Sequence, residues 1–260
     1  MKVAFIGAGN VAWHLAQALA SAGHEVTAIY SRSKSSREEL AKALPKAVPT
    51  ASLAELTSIK PDSILIAVPD AAIAEVARQL QVQPGTLVAH TSGSQPMALL
   101  AGIAGARIGV LYPLQTFSKA KPIDFETVPL LLEAQDAQTR QHLQQLAASI
   151  SRQVQQVGSE ARKQLHLAAV FACNFTNHLL GISYELLQEA KLPTDLLQPL
   201  IRETVAKALL YPPFSVQTGP AVRHDANVIA EQFQMLAPQS RYQEIYELLT
   251  RSIQAISPQP

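Results

Sequence analysis

The sequence predicts an α/β fold in which an N-terminal Rossmann-type parallel sheet is followed by an all-helical C-terminal domain. Three observations predict it. Short, fully apolar runs alternate with helical patterns through the first half, as strands of a parallel sheet buried on both faces do. A Gly-x-Gly turn stands between the first apolar run and the first helical pattern. After about Gly158 the strand patterns vanish and only long helical segments remain. The boundary is therefore placed at 157/158, giving a dinucleotide-binding domain over 1–157 and a substrate and dimerisation domain over 158–260.

The elements follow in order. Residues 3–6 are a continuous apolar strand, and 11–22 carry Trp13, Ala16, Leu19 and Ala20 at helical spacing. A second strand covers 25–30, and a helix over 35–44 ends at Pro45. A third apolar run, 63–68, closes at Pro69 before a helix over 71–80. Strands follow at 86–89, 107–111 and 128–132, then a Gln-rich amphipathic helix at 136–151. Helices are then expected at 160–189, 195–210, 225–236 and 241–256, separated by Pro193, Pro212-Pro213, Gly219-Pro220 and Pro238. The tail Ser257-Pro258-Gln259-Pro260 is expected to fray.

Composition excludes several classes. Hydrophobic residues make up 48 % of the 260, too many for a disordered chain. The formal net charge of +1 gives no electrostatic case for nucleic acid or an anionic membrane. Cys173 is the single cysteine, so an intramolecular disulfide is impossible and a reducing compartment is consistent. The opening apolar run is too short for a signal peptide. The stretch at 99–114, read as the most apolar later one, is broken by Arg107 and too short to span a bilayer. A cytoplasmic enzyme is the expectation.

Gly7-Ala8-Gly9-Asn10-Val11-Ala12 ends the first strand and opens the first helix. Gly7 permits the tight turn, Gly9 lets backbone approach a pyrophosphate, and Ala12 is small enough for helix to pack on strand. The helix N-terminus then offers free N–H groups to phosphates. At the end of the second strand an NAD site places an acid for the ribose 2′-hydroxyl. Here the residues are Ser31-Arg32-Ser33-Lys34, with Arg37 behind. A basic fork with flanking hydroxyls suits a 2′-phosphate, so the cofactor expected is NADP(H). Two further loops leave strand ends. Val68-Pro69 would lie by the ribose, with Asp70 as a cap for the next helix, and His90-Thr91-Ser92 by the nicotinamide.

The helix starting at Glu160 carries Lys163, His166, Asn174, Asn177 and Gly181 in one arc at 100° per residue, with His178 at its margin. Its other side is apolar through Ala168, Phe171, Ala172, Phe175, Leu179 and Leu180, so the helix is expected to be largely buried. Its polar arc would then face a cleft between the domains. His166 is the first candidate for general acid/base, Asn174 for orienting a substrate, and Lys163 for a reserve proton donor. No metal site is expected, because the two histidines lack ligand spacing and an accompanying carboxylate.

The chain resembles the bacterial Rossmann-like oxidoreductases with a C-terminal helical domain of unknown function, a group described as NADP oxidoreductases. The resemblance rests on Phe5-Ile6-Gly7-Ala8-Gly9-Asn10-Val11-Ala12, Ser31-Arg32-Ser33, Ala67-Val68-Pro69-Asp70 and His90-Thr91-Ser92-Gly93. It extends through Pro113-Leu114-Gln115-Thr116-Phe117, His166 with Ala168-Ala169, Phe171 and Asn174-Phe175, and Gly219-Pro220 with Arg223 and Asp225. More distantly the first half is similar to pyrroline-5-carboxylate reductase and deazaflavin-dependent NADP reductases. The β-hydroxyacid dehydrogenases are similar in domain order. They place a catalytic Lys one turn before an Asn, where this chain has Val170 before Asn174, which argues against simple β-hydroxyacid chemistry. The resemblance implies a cofactor and no particular reaction.

The expectation is thus an NADP(H)-dependent oxidoreductase acting on a small carbonyl, imine or hydroxy compound; the alternative is a non-catalytic NADP(H)-binding redox sensor or scaffold. Arg223 is a candidate for holding a substrate carboxylate or a cofactor phosphate, and Asp225 for capping the helix behind it. The last helix carries Ile245, Leu248, Leu249, Ile253 and Ile256 on one side, and a homodimer through the helical domain is expected.

Overall fold

Val3, Ala4, Phe5 and Ile6 are all fully buried, and they make β1 (Lys2–Ile6) a central strand. The computed structural model describes residues 1–256, so the expected fraying of the tail at 257–260 lies outside the described residues. After β1 come α1 (Asn10–Ser21), β2 (Glu25–Tyr30), α2 (Lys34–Lys42), β3 (Val48–Thr50), α3 (Leu53–Ser58) and β4 (Ser63–Ile66). Then follow α4 (Asp70–Gln79), β5 (Leu87–His90), β6 (Arg107–Pro113), β7 (Leu130–Ala134), α5 (Ala137–Ala148) and β8 (Val154–Gln156). The eight strands form one sheet in the order β3-β2-β1-β4-β5-β6-β7-β8.

Side chains alternate across the strands, and each face is covered. Phe5, Ile29, Leu65 and Leu111 pack with Leu15 and Leu19 of α1, Leu40 of α2 and Leu143 and Leu146 of α5. Ile6, Ala28, Ile64 and Val88 pack on the other side with Leu56 of α3 and Ile73 and Ala77 of α4. Helices on both faces of a parallel sheet are the Rossmann arrangement. Two strands depart from the expected parallel sheet: β7 runs antiparallel to β6, and β8 pairs parallel to β7 and shares its direction. A parallel return needs a crossover of a dozen or more residues, usually helical, and the 114–129 connection holds only a short 3₁₀ turn, Phe125–Thr127.

The chain divides into two compact units, 1–173 and Asn174 onward. The sequence boundary at 157/158 falls earlier, because it was read from where strand patterns stop. α6 (Ser159–Ala169) belongs to the first unit, where it buries Arg162. The expected single helix over 160–189 is interrupted by a π-helical turn, Val170–Phe175, before α7 (Thr176–Glu189). Nor is its apolar side buried: Phe171 is 64 % and Leu179 38 % exposed. Residues 159–189 are long and apolar enough, by length and composition, to cross a membrane, which the sequence reading of 99–114 overlooked. The second unit continues with α8 (Gln198–Leu210), α9 (Ala226–Met235) and α10 (Ser240–Ile256). Asp225 caps α9 as expected, its carboxylate accepting from the Val228 N–H at 3.3 Å.

Candidate functional site

In the strand order, β1 lies between β2 and β4, so the crossovers turn opposite ways on its two sides. Outside the carboxyl ends of β1 and β4 this leaves the crevice where open α/β sheets bind ligands. Gly7 stands there with φ +112°, and its N–H donates to the Tyr30 carbonyl at 2.7 Å. A Cβ at Gly7 would lie 2.0 Å from the Ala67 carbonyl oxygen, so no larger residue fits between the two loops. Gly9 is the N-cap of α1 and supplies no side-chain cap, and nothing lies within 4 Å of where its Cβ would be. The first amides of α1 therefore open onto free space with the positive end of the helix dipole behind them.

That space is part of a cavity of about 570 Å³ in the first unit. Of the residues expected at the cofactor, Gly7, Ala8, Gly9, Asn10, Val11, Ser31, Arg32, Ser33, Val68, Pro69 and Thr91 all line it. Arg32 is exposed and, among the described residues, enters no ion pair, so its guanidinium is available to an incoming anion. Leu53 and Val76 add an apolar wall that sequence reasoning missed. Leu53 opens a short helix that had not been recognised, and Val76 reads as an ordinary core position. A second groove of about 610 Å³, lined by Asp62, Arg107 and His142, sits at the amino ends of the strands, away from the crevice.

Several expected residues do other work. Lys34 does not line the cavity: it is the first residue of α2, 3.9 Å from Glu38 one turn on. Ser33 also caps α2, accepting from the Ser36 N–H at 3.3 Å. Asn10 donates through its side-chain amide to the Phe117 carbonyl at 3.0 Å. Asp70 caps nothing; its carboxylate accepts from the Ser94 hydroxyl and ties the β4 and β5 loops together.

His90, which ends β5, and Ser92, in the loop after it, are buried and do not line the cavity. His90 is fully buried, and its Nδ1 accepts from the Ser92 N–H at 3.2 Å, which leaves the proton of the neutral ring on Nε2. Among the described residues Nε2 has no hydrogen-bond partner. Burial, and then the neighbouring Arg162 guanidinium, pull the imidazole down to about 4. A histidine held neutral in this way is a structural support for the loop, and it does not exchange protons near neutrality.

The residues beside that loop behave differently. Tyr112, near the carboxyl end of β6, places its hydroxyl 3.1 Å from His166 Nδ1, with the rings edge to face. A Cβ at Gly93 would lie 2.7 Å from both His166 Nδ1 and Tyr112 Cζ, so Gly93 is the residue that lets the loop close over the pair. Burial pushes the Tyr112 phenol up, with Arg162 acting against it. Arg162, fully buried, donates to Glu133 and to the Gln95 carbonyl and lies 3.3 Å from the Ser159 hydroxyl, while Ser159 itself donates to Glu133 at 2.7 Å. Register pairs Val110 with Glu133 across β6 and β7, so the sheet fixes the acid. Sequence reasoning missed Tyr112, Arg162 and Glu133, and it quoted Gly93 in a motif without giving it a role. Arg162 reaches Glu133 and Gln95 across 29 and 67 residues and Tyr112 reaches His166 across 54, and no local pattern marks such pairings.

Of the three catalytic candidates, His166 is half-buried against Tyr112, and Lys163 pairs with Glu160 at 2.9 Å. Asn174 is exposed and opens the second unit. The arc proposed to hold them together assumed 100° per residue throughout. The π turn between 170 and 175 breaks that phase, so Asn174 and Asn177 do not continue the line of Lys163 and His166. Arg223 is exposed in the second unit, in the turn between Gly219 at φ +111° and the capped α9. Among the described residues no cluster of three or more His, Cys, Asp or Glu is placed to hold a metal.

Residues 1–115 match the Rossmann-like domain, and residues 128–253 match a domain of unknown function, DUF2520. The chain is 41 % identical to a putative NADP oxidoreductase from Bacteroides fragilis, covering 98 % of each chain with a TM-score of 0.92. It belongs to this family of Rossmann-like proteins with a DUF2520 domain. The fold of the family extends further. An imine reductase from Myxococcus stipitatus, solved with NADP+, is 18 % identical over 98 % of this chain and 93 % of its own, with a TM-score of 0.66. A 1-pyrroline-5-carboxylate reductase from Streptococcus pyogenes is 13 % identical over 98 % of both chains, with a TM-score of 0.62. Among curated proteins none matches the sequence.

Proposed function

We propose that the protein is an NADP(H)-dependent oxidoreductase acting on a small carbonyl, imine or hydroxy compound. The observation that carries the reading is the cavity where the uncapped start of α1 and the unpaired Arg32 meet one open space. The α1 amides would hold the pyrophosphate, and Arg32 with Ser31 the 2′-phosphate. Val68, Pro69 and Thr91 border the same space further along the sheet edge. The description of the 41 % identical relative as an NADP oxidoreductase, and the NADP+ in the imine reductase, support this choice. When bound, the reduced nicotinamide supplies a hydride.

The chain's part is to position the acceptor and move a proton. Loop 90–95 borders the cavity at Thr91 and touches His166 at Gly93, so His166 stands beside the far end of the cofactor site. In the reducing direction His166 gives a proton to the substrate oxygen or nitrogen, and in the oxidising direction it takes that proton back. Tyr112 serves either protonation state of the ring. Its oxygen accepts from Nδ1–H of the cation and of the neutral tautomer left once Nε2 has given up its proton. Lys163 is the reserve donor, and Asn174 and Arg223 are assigned to orienting the substrate and holding an anionic group.

Incubating the protein with NADPH and a panel of ketoacids, imines and aldehydes tests this through loss of NADPH absorbance. At least one member should turn over, and His166→Ala should cut kcat by about 10²–10⁴ while NADPH affinity holds. Binding of NADPH with no turnover of any class would favour the sensor or scaffold.

A further inference from the structure

The helices of the second unit fully bury almost none of their residues. No residue of α7, α8 or α9 is buried, and α10 buries only Thr250. Among the described residues, 15 of the 21 exposed large hydrophobics lie between Leu179 and Ile256. Leu200 is 62 % exposed, Leu209 83 %, Phe214 77 %, Met235 72 % and Leu248 63 %. A soluble domain normally leaves such side chains exposed singly, and its largest contiguous patch reaches only a few hundred Å². Here nine of the fifteen are more than half exposed and the rest a third or more, which together is ~1,000 Å² or more per protomer. Paired across a two-fold axis, that is about 2,000 Å² or more, the range of obligate homodimers.

We infer that the second unit is an obligate dimerisation unit, and that a second copy of this chain supplies the core it lacks. Two observations choose the occupant. The apolar positions alternate with charged ones along the same helices: Arg202, Glu203 and Lys207 in α8, Glu244 and Glu247 in α10. Lipid hydrocarbon excludes such residues, whereas the polar rim of a protein interface takes them. From 174 to 256 there are six Lys and Arg against eight Asp and Glu, so anionic headgroups gain nothing here. A face this large has to be covered whenever the chain is folded, and a second copy is present at matching concentration wherever the chain is made.

In such an assembly folding and association are one equilibrium. The full-length protein should sediment as a dimer at micromolar concentration, and its melting midpoint should rise with protein concentration. Leu209→Glu should weaken association at least tenfold. In a monomer the same change at an 83 % exposed site would leave stability unaltered. NADPH binding by the first unit, measured in parallel, shows whether the variant remains folded there. If the variant fails to fold altogether, the concentration dependence of the unmodified protein's midpoint still decides. A monomer with a concentration-independent midpoint would overturn the inference. So would a Leu209→Glu protein that associates unchanged. Flotation of the protein with vesicles of phosphatidylcholine and phosphatidylglycerol, in place of self-association, would also overturn it and assign the face to lipid.

Discussion

At the scale of single residues, three side-chain positions carry most of the account. Gly9 has open space where a Cβ would sit and lies at an ordinary φ of −79°. Gly9→Val should therefore leave the melting midpoint within a few degrees while removing NADPH binding, because the branched side chain fills the pyrophosphate's place. Circular dichroism and a fluorescence titration check the two halves; a folded variant that binds normally would refute the placement. Gly93 is the opposite case, since its Cβ would strike His166 and Tyr112 at 2.7 Å. Gly93→Ala should displace the imidazole and lower kcat by roughly tenfold or more with little change in NADPH affinity.

His90 gives a pH dependence of stability. The unfolded chain takes up its proton near 6.5 and the folded chain near 4. Between those values the unfolded state binds more protons. Stability is therefore full above about 6.5, falls as pH drops toward 4, and loses about 3 kcal/mol in all. Urea unfolding across this window should show the loss, and His90→Gln should flatten it. An identical slope in the variant would mean another group is responsible.

At the scale of elements, the β1–α1–β2 unit was legible because its signals are local. Strand, glycine turn and helix are contiguous, and the observed bounds differ by a residue or so. β3 and β8 were not legible. Each is a three-residue edge strand, with Pro49 in one and Gln155-Gln156 in the other, and neither offers an apolar run. The π turn escaped because a 3.6-residue period was assumed across it, and that assumption carried Asn174 into the wrong arc. The Arg162–Glu133 pair joins α6 to β7 and holds Gln95 at the end of the site loop. Removing the acid would leave a fully buried guanidinium without its counter-charge. Glu133→Ala should cost about 3–5 kcal/mol in chemical denaturation. A loss under 1 kcal/mol would show that water reaches Arg162 and that the clamp is weak.

For the whole molecule, the sequence carries the order of the domains plainly, since strand periodicity ends where helices take over. It carries the packing of the helical unit poorly: the apolar side of the helix over 160–189 reads as buried, and in the single chain it is not. Amphipathic periodicity shows that a face must be covered without showing by what. The central claim rests instead on the first unit, where eleven residues selected from sequence line one cavity. Titration of the protein with NADPH and with NADH, repeated for Arg32→Ala, tests it most directly. The account predicts tighter binding of NADPH by roughly 10- to 100-fold, the worth of a charge-assisted phosphate contact, and near-equal affinities once Arg32 is gone. Equal affinities for the two cofactors in the unmodified protein, or an unchanged preference in the variant, would contradict it.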